Sequence, residues 1–541
     1  MAIFARNTAI TAAGMILLIG CQTRRVDTRS NRAGTTDTST TTTTNTSIST
    51  PTGTSTVTKR SHDFGILDGS IDFVPDNTED AKALLAKFPI RDKDTEIADL
   101  AGGPEFLAAR WDMLNKATKS VRLQTLVFHG DESGWLIARK LVELKNRGVS
   151  VRIIIDGVSN LYPEDQGMFL YLQQNGIKVE GYDLVYLYVL QEIGRSATID
   201  SIIDRTNMRY HEKMFIVDAE DPANARAIVG GVNIANKYFR IDRTKPDDNW
   251  QDKDVIVRGS LVADIAKSFD ENLKYVEEFR SRSALANTTP LWKWAISIRD
   301  ILKLKPIIPN PEPDLRPAMN ELVKTAANTP LNLDWHPVRG RFLKSRPYLK
   351  EQYIHFAYLD AIKSAKKSIH IMNSYFLPTN DVRAALKDAV RRGVEVKILA
   401  NDVGVADYES VMKASRLIYP ELLGVNRENP KAKLSIYEWG GDPIFKNGYG
   451  LHHGKYAIFD DRVSIVGSYN IDPRSKNLNS ESVVVFEQEK LATKLNEQFT
   501  REIGAGFATN ITYEVALKFR DPDGFLKILE ARFLEALSPI F

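Results

Sequence analysis

Cysteine is almost missing from this sequence. Cys21 stands alone among 541 residues, so no intramolecular disulfide can form. An excess of charge is missing too: 72 Lys and Arg balance 69 Asp and Glu, for a net +3. That argues against a nucleic-acid binder working through a broad basic field, although a local basic groove can hide in a balanced sum. The one apolar run near the start, "MAIFARNTAITAAGMILLIGCQ", is too short to span a bilayer stably. What remains, 43% hydrophobic and 26% charged residues, is the composition of an ordinary globular chain long enough for two domains.

The start reads as a signal peptide over 1–20, with one early positive charge at Arg6. Leu18-Ile19-Gly20-Cys21 resembles a bacterial lipobox, which implies cleavage before Cys21 and its acylation. Several acyl chains on one residue would anchor the protein firmly, at ~0.8 kcal/mol per buried methylene. Gln22 after the cysteine favours the outer membrane by analogy with bacterial sorting. Residues 21–60 are dominated by Thr and Ser, as in "TTDTSTTTTTNTSISTPTGTSTVT". They bury too little apolar surface to offset their ordering entropy and read as a tether. The expected location is therefore the cell envelope, on a membrane-anchored lipoprotein facing the periplasm.

The rest of the chain contains a repeat. "SVRLQTLVFHGDESGWLIARKLVELKNRGVSVRIIIDGV" and "SIHIMNSYFLPTNDVRAALKDAVRRGVEVKILANDVG" are each an alternating strand, an amphipathic helix and a second strand. Leu136, Leu141 and Leu144 share one helical face; Val382, Leu386 and Ala389 share the other. Gly148 and Gly393 stand where a helix ends in positive φ. The expected fold is α/β: two pseudo-symmetric lobes, each with a mixed, mostly parallel sheet flanked by helices. The proline-dense stretch 305–317 reads as a connector. The expected boundaries are 61–300 for the first lobe, 301–317 for the connector and 318–541 for the second.

Each lobe ends its repeat with the same polar signature, His-x-Lys-x4-Asp. His211, Lys213 and Asp218 form one copy; His453, Lys455 and Asp460 form the other. Even spacing puts each His and Lys on one strand face, and odd spacing turns each Asp to the opposite face, where it would hold structure. A looser pattern, any base at +2 and any acid at +7 from one of eight histidines, is expected about 0.14 times by chance. Glycine turns and Asn233 or Asn470 follow each copy. Two imidazoles, two ammonium groups and neutral donors brought together suit a phosphodiester. The cations hold its oxygens, one imidazole attacks phosphorus, and the other protonates the departing alkoxide.

These paired motifs resemble the phospholipase D superfamily. "NSYFLPT", "IVGSYNIDPRSKNLNSE", "AIVGGVNIANKYF" and "WQDKDVIVRG" are similar to the bacterial cardiolipin synthase C-like subgroup. The resemblance implies His211 as nucleophile through a phosphohistidine, and His453 as general acid and then base. It counts Lys213, Asp218, Lys455 and Asp460 with the catalytic set. It puts Asn233, Ser468 and Asn470 on the substrate phosphate. It assigns Glu481 to orient the second His and makes Asp252, with Asp254 as competitor, the candidate for the first. It implies no cofactor and no metal. Gly231 departs from the pattern, lacking the hydroxyl that Ser468 supplies. The substrates expected are phospholipids at a membrane surface reached through acylated Cys21, not nucleic acid, and no protein partner is named. Cardiolipin synthesis is the leading activity; a hydrolase releasing phosphatidic acid, and then a nuclease, follow. Other features read blandly: His452 as structural, Arg474 as phosphate ligand or turn brace, 184–190 as a buried strand or acyl-chain wall. A C-terminal stripe of Phe525, Leu529, Phe533 and Leu537 reads as core packing, with contact to lipid as the alternative.

Overall fold

The computed structural model describes residues 64–68, 86–100, 102–157, 159–160, 162–181, 208–242, 248–282, 312–428, 433–442, 450–504 and 506–520. The chain divides into two units, Met1–Ser61 and His62–Phe541, and all described residues belong to the second. The signal peptide, Cys21, the tether, the 184–190 run and the C-terminal stripe lie outside the described residues.

The elements of the first half are α1 (Gly65–Asp68), β1 (Arg91–Leu100), α2 (Gly103–Lys116), β2 (Ser120–Thr125), α3 (Glu132–Asn146), β3 (Ser150–Ile155), α4 (Pro163–Gln174), β4 (Val179–Gly181), β5 (Met214–Val217), β6 (Arg226–Gly230), β7 (Asp254–Gly259) and α5 (Leu261–Arg282). The second half gives α6 (Glu312–Asn328), β8 (His336–Ser345), α7 (Tyr353–Ser364), β9 (Ser368–Asn373), α8 (Asn380–Arg391), β10 (Glu395–Asn401), α9 (Glu409–Leu423), β11 (Lys433–Trp439), β12 (Lys455–Phe459), β13 (Val463–Gly467), α10 (Pro473–Asn477), β14 (Glu481–Glu487), α11 (Glu489–Glu502), β15 (Ala508–Ile511) and α12 (Tyr513–Arg520).

One 15-stranded sheet runs β15-β11-β10-β9-β12-β13-β14-β8-β1-β7-β6-β5-β2-β3-β4. Read outward from its centre, β1-β7-β6-β5-β2-β3-β4 mirrors β8-β14-β13-β12-β9-β10-β11. The two lobes join where β1 pairs antiparallel with β8. The expected α/β pseudo-symmetry is present, but the expected strand sense needs correcting. Among the described strands only β2–β3, β3–β4, β9–β10 and β10–β11 pair parallel. The motif strands β5 and β12 return antiparallel beside β2 and β9, and antiparallel pairing continues inward through β6–β7 and β13–β14.

The helices follow from the sequence pattern. Leu136, Leu141 and Leu144 are buried on α3, and Val382, Leu386 and Ala389 on α8. Gly148 and Gly393 close these helices with φ of 90° and 94°, where an L side chain would be strained. The motif strands then alternate between cores. Phe215 and Val217 face the first lobe's core, and Ala457 and Phe459 the second's. Met214, Ile216, Tyr456 and Ile458 enter a third core shared by both lobes and covered by α5 and α11 residues such as Phe269 and Phe499. Burying a large apolar side chain is worth roughly 1.5–3 kcal/mol, so this shared core ties the lobes together.

The lobe edges are exchanged relative to the boundaries read from sequence. Phe64, Ile66 and Leu67 pack in the second lobe's core, and the Ile66 amide donates to Asp360 Oδ2 at 2.8 Å. The connector's last residues, from Glu312, are already helical, and Pro317 lies inside α6. Met319, Leu322 and Ala326 of α6 pack into the first lobe's core. Among the described residues, no helix is long and apolar enough to cross a membrane.

Candidate active site

The two motifs meet because each lobe's histidine segment pairs with the other lobe. Tyr210 bridges Ser480, and Gln251 bridges His452, both in parallel sense. The His211 amide donates to Ser480 O at 2.9 Å, and the Ser480 amide to Arg209 O at 2.9 Å. Reciprocally, the His453 amide donates to Gln251 O at 2.6 Å, and the Gln251 amide to Leu451 O at 2.9 Å. Each histidine thus sits at the mouth of its strand, beside the residue that precedes the opposite lobe's acid.

That stitching corrects the expected pairing of acids. His211 Nδ1 lies 2.9 Å from Glu481 Oε2, and His453 Nδ1 lies 2.8 Å from Asp252 Oδ2. Each acid serves the histidine of the other half. The competitor Asp254 touches neither ring: it pairs with buried Arg110 at 2.7 Å and accepts from the Val232 amide at 3.2 Å. An ionised carboxylate can only accept, so each Nδ1 carries the proton and each Nε2 is left as the basic nitrogen.

The lysines converge as well. Lys213 Nζ donates to His211 O at 2.6 Å, and Lys455 Nζ donates to His453 O. Both are buried. Burial pushes Lys213 down to about 8, against the pull of Glu481 and Asp252. Burial also pushes Lys455 down to about 7, Asp252 opposing and Lys213 assisting. His453 is held well below its ordinary value by burial and by the charges of Lys455, Lys213, His211 and Lys237. His211 is lowered by burial, against Glu481, with Lys213 and Lys455 adding to the drop. The mutual influence of these groups across the lobes places both motifs in one site. An anion bound there would favour the protonated forms that burial disfavours.

The two acids are not equivalent. Glu481 takes Ser468 Oγ at 2.5 Å, Ser475 Oγ at 2.9 Å and Asn479 Nδ2 at 3.4 Å as well as His211. Burial alone would raise its carboxyl; His211, Lys213 and the Ser468 hydroxyl outweigh that and hold it below the usual range. Among the described residues Asp252 takes only the Lys253 amide, at 2.7 Å, besides His453. Burial lifts it above the usual range despite Lys455, Lys253, His452 and Lys213. Ser468 has a second task beyond the one expected of it: its hydroxyl donates to Glu481 and so positions the acid. The missing hydroxyl at Gly231 has a steric cause. A Cβ there would stand 2.1 Å from Asp252 Oδ1. The shorter acid comes closer to the turn and occupies the room that Ser468 fills in the other half.

Asp218 and Asp460 are also corrected out of the catalytic set. Asp218 accepts from the amides of Thr118, Lys119 and Ser120 and from the Thr118 hydroxyl. Asp460 accepts from the amides of Lys366, Lys367 and Ser368. Both lie at the far ends of the motif strands, with φ of 50° and 54°, and tie β5 and β12 to the starts of β2 and β9. Asn233 is buried, with Oδ1 held by Thr125 Oγ1 and the Val127 amide, each at 3.1 Å. Among the described residues its Nδ2 has no partner of full hydrogen-bond geometry, with the Tyr238 hydroxyl its nearest interaction, and so can turn to a phosphate oxygen. Asn470 is buried beside it in the motif order, its amide donating to Ser475 Oγ at 3.3 Å. His452 is fully buried, edge-on to Trp439 and 3.0 Å from Glu502. Arg474 is half-buried in the field of Arg209, Asp472, Tyr408 and Asp156.

Several neighbours were not singled out from sequence. The Tyr238 and Trp250 rings flank His453 at 5.3 and 5.4 Å. Lys237 Nζ stands 3.7 Å over the Trp250 ring. Tyr375 lies 6.0 Å from Lys455 Nζ and donates to Asp407. Aromatics next to a glycine-turn Asn are the one signal that could have marked the first group. Among the described residues no three His, Cys, Asp or Glu side chains stand together as a metal-holding set.

The family model described as "Cardiolipin synthase, PLD-like domain" matches residues 111–273 and 358–503, more than half of the chain and both motifs. The chain belongs to this phospholipase D family. It is 26% identical over 402 residues to a cardiolipin synthase of Clostridium perfringens, covering 74% of this chain and 68% of that protein. It is 26% identical over 461 residues to a cardiolipin synthase of Halalkalibacterium halodurans, covering 84% and 74%. The crystal structure of phosphatidylserine synthase from Haemophilus influenzae Rd KW20 shares the fold, with a TM-score of 0.58 at 13% identity. That match covers 86% of this chain and all of that one. The protein is thus an enzyme of the phospholipase D superfamily, and its paired lobes are that superfamily's architecture.

Proposed function

We propose that this phospholipase D enzyme is a phosphatidyltransferase that makes cardiolipin from membrane glycerophospholipids. The observation that carries the reading is the pair of cross-lobe His–carboxylate contacts, which bring two imidazoles and two buried lysines to one anion site. The similarity to proteins named cardiolipin synthase supports a lipid diester as substrate.

In this mechanism Lys213, Lys455 and Asn233 hold the nonbridging oxygens and meet the charge that grows at phosphorus. His211 Nε2 attacks, and an N–P bond forms as the P–O bond to the headgroup breaks. Glu481, fixed by three further donors, suits this role: its firm negative charge stabilises the phosphorylated, cationic ring. With the anionic diester bound, His453 carries a second proton on Nε2 and gives that proton to the leaving alkoxide, returning to its neutral Nδ1–H form. In the second half His453 takes the proton of an acceptor hydroxyl, whose oxygen attacks phosphorus and releases His211. With a second lipid's glycerol as acceptor the product is cardiolipin; with water it is phosphatidic acid. Acylated Cys21 would hold the site at the membrane of the cell envelope, facing the periplasm.

Thin-layer analysis after incubation with phosphatidylglycerol and phosphatidylethanolamine tests this reading. A diphosphatidyl product supports it; phosphatidic acid alone replaces it with the hydrolase. Cleavage of nucleic acid with a steep loss at higher salt would point to a nuclease.

A further inference from the structure

The phosphate chemistry does not use Asp407, yet this acid sits beside it. Asp407 precedes α9 and is exposed to solvent. Its carboxylate accepts from the Tyr375 hydroxyl, and the Tyr375 ring lies 6.0 Å from Lys455 Nζ. Burial of the carboxylate against Tyr375 raises it, while the Tyr375 hydroxyl and the charges of Lys237 and Lys455 pull it back down. Tyr238, whose ring touches His453 edge-on, feels its charge in turn. Tyr408, 62% exposed, packs edge-on against Tyr375 at 6.0 Å. Asp407 therefore lies on the His453 side of the site, at a solvent-open edge lined by aromatic rings.

A carboxylate so near the phosphate-holding lysines weakens their hold on a diester anion. That cost is offset if the acid itself meets part of the substrate. The part on the His453 side is the alcohol, because the general acid must reach the oxygen that departs and, later, the oxygen that arrives. We propose that Asp407, oriented by Tyr375, forms the alcohol subsite, accepting a hydrogen bond from a hydroxyl or ammonium group of the headgroup or acceptor alcohol. The inference rests on the phosphodiester-transfer reading above and adds the recognition of the alcohol. The shared chemistry is a donor group a few bonds from the reacting oxygen, as in a glycerol or an ethanolamine. Asp407 moves no proton in the reaction, which stays with His211 and His453.

The test compares wild type and Asp407→Asn on phosphatidylethanolamine, phosphatidylglycerol and bis(p-nitrophenyl) phosphate, whose leaving group has neither hydroxyl nor ammonium. Loss of a charged hydrogen bond predicts that kcat/KM on at least one lipid falls about tenfold or more relative to that on the p-nitrophenyl diester. A selective loss on phosphatidylethanolamine assigns the ammonium; a selective loss on phosphatidylglycerol assigns the hydroxyl. Equal changes on all three substrates overturn the subsite and leave the transferase reading standing. Wild-type cleavage of the p-nitrophenyl diester with no turnover of either lipid overturns the lipid reading, and this inference with it. Tyr375→Phe provides a second variant: it should shift the same lipid-to-nitrophenyl ratio in the same direction, and no shift counts against the orientation by Tyr375.

Discussion

Replacing one acid at a time separates the crossed pairing from a within-lobe pairing. Glu481→Gln removes the charge that faces His211 at 2.9 Å, and Asp252→Asn removes the one that faces His453 at 2.8 Å. A hydrogen bond to a charged group is worth about 1.5–3 kcal/mol, or roughly 10- to 150-fold in rate. An amide can also hold the wrong tautomer, which extends the loss toward about 10⁴-fold. Bis(p-nitrophenyl) phosphate makes the two steps visible. Its leaving group needs little protonation, so the burst of nitrophenolate reports nucleophilic attack and the steady state reports release of the enzyme. Glu481→Gln is expected to slow the burst by about 10²-fold or more, in the direction of His211→Asn, which should abolish it. Asp252→Asn is expected to leave the burst within about tenfold and to slow the steady state, the same pattern expected of His453→Asn. Each acid variant should be non-additive with its own histidine and additive with the other. Glu481 grouping with His453 in these cycles would refute the crossed arrangement, whichever imidazole is the nucleophile.

Three further outcomes follow from the same geometry. Lys455, held down to about 7 by burial against Asp252, is charged below that value and loses its proton as pH rises through it. The alkaline limb of kcat/KM should therefore fall near neutrality, and Lys455→Arg, if active, should move that limb upward because guanidinium stays charged. Arg110→Ala strands Asp254 as a buried lone carboxylate and should cost about 3–5 kcal/mol in denaturant unfolding; an unchanged midpoint would contradict the burial of that pair. Asp218→Ala removes the acceptor of three amides and a hydroxyl. It should lower stability by about 2–4 kcal/mol while the folded fraction keeps kcat within a few-fold; loss of kcat without loss of stability would return Asp218 to the chemistry.

Much of this was legible in sequence because it is local. The spacing of His211 to Lys213, and the odd offset to Asp218, predict a shared face and an opposite one, and the structure places Asp218 away from the ring among backbone amides. The helix stops at Gly148 and Gly393 were equally local. The crossed acids were not legible, because Glu481 and His211 are 270 residues apart and Asp252 and His453 are 201 apart. Nothing in either segment's own pattern says that Ser480 will bridge Tyr210. The strand sense failed for a related reason: the βαβ units are parallel, but β5 to β7 and β12 to β14 pair antiparallel with their neighbours. The departure at Gly231 looked like a lost ligand until Asp252 was seen to fill its space.

The most direct measurement of the central claim is a crystal structure with vanadate, a mimic of phosphorus in mid-transfer. One vanadium centre flanked on opposite sides by Nε2 of His211 and Nε2 of His453 is the predicted result. Vanadate held by a single imidazole with the other ring turned away, or two anions in separate cavities, would contradict it.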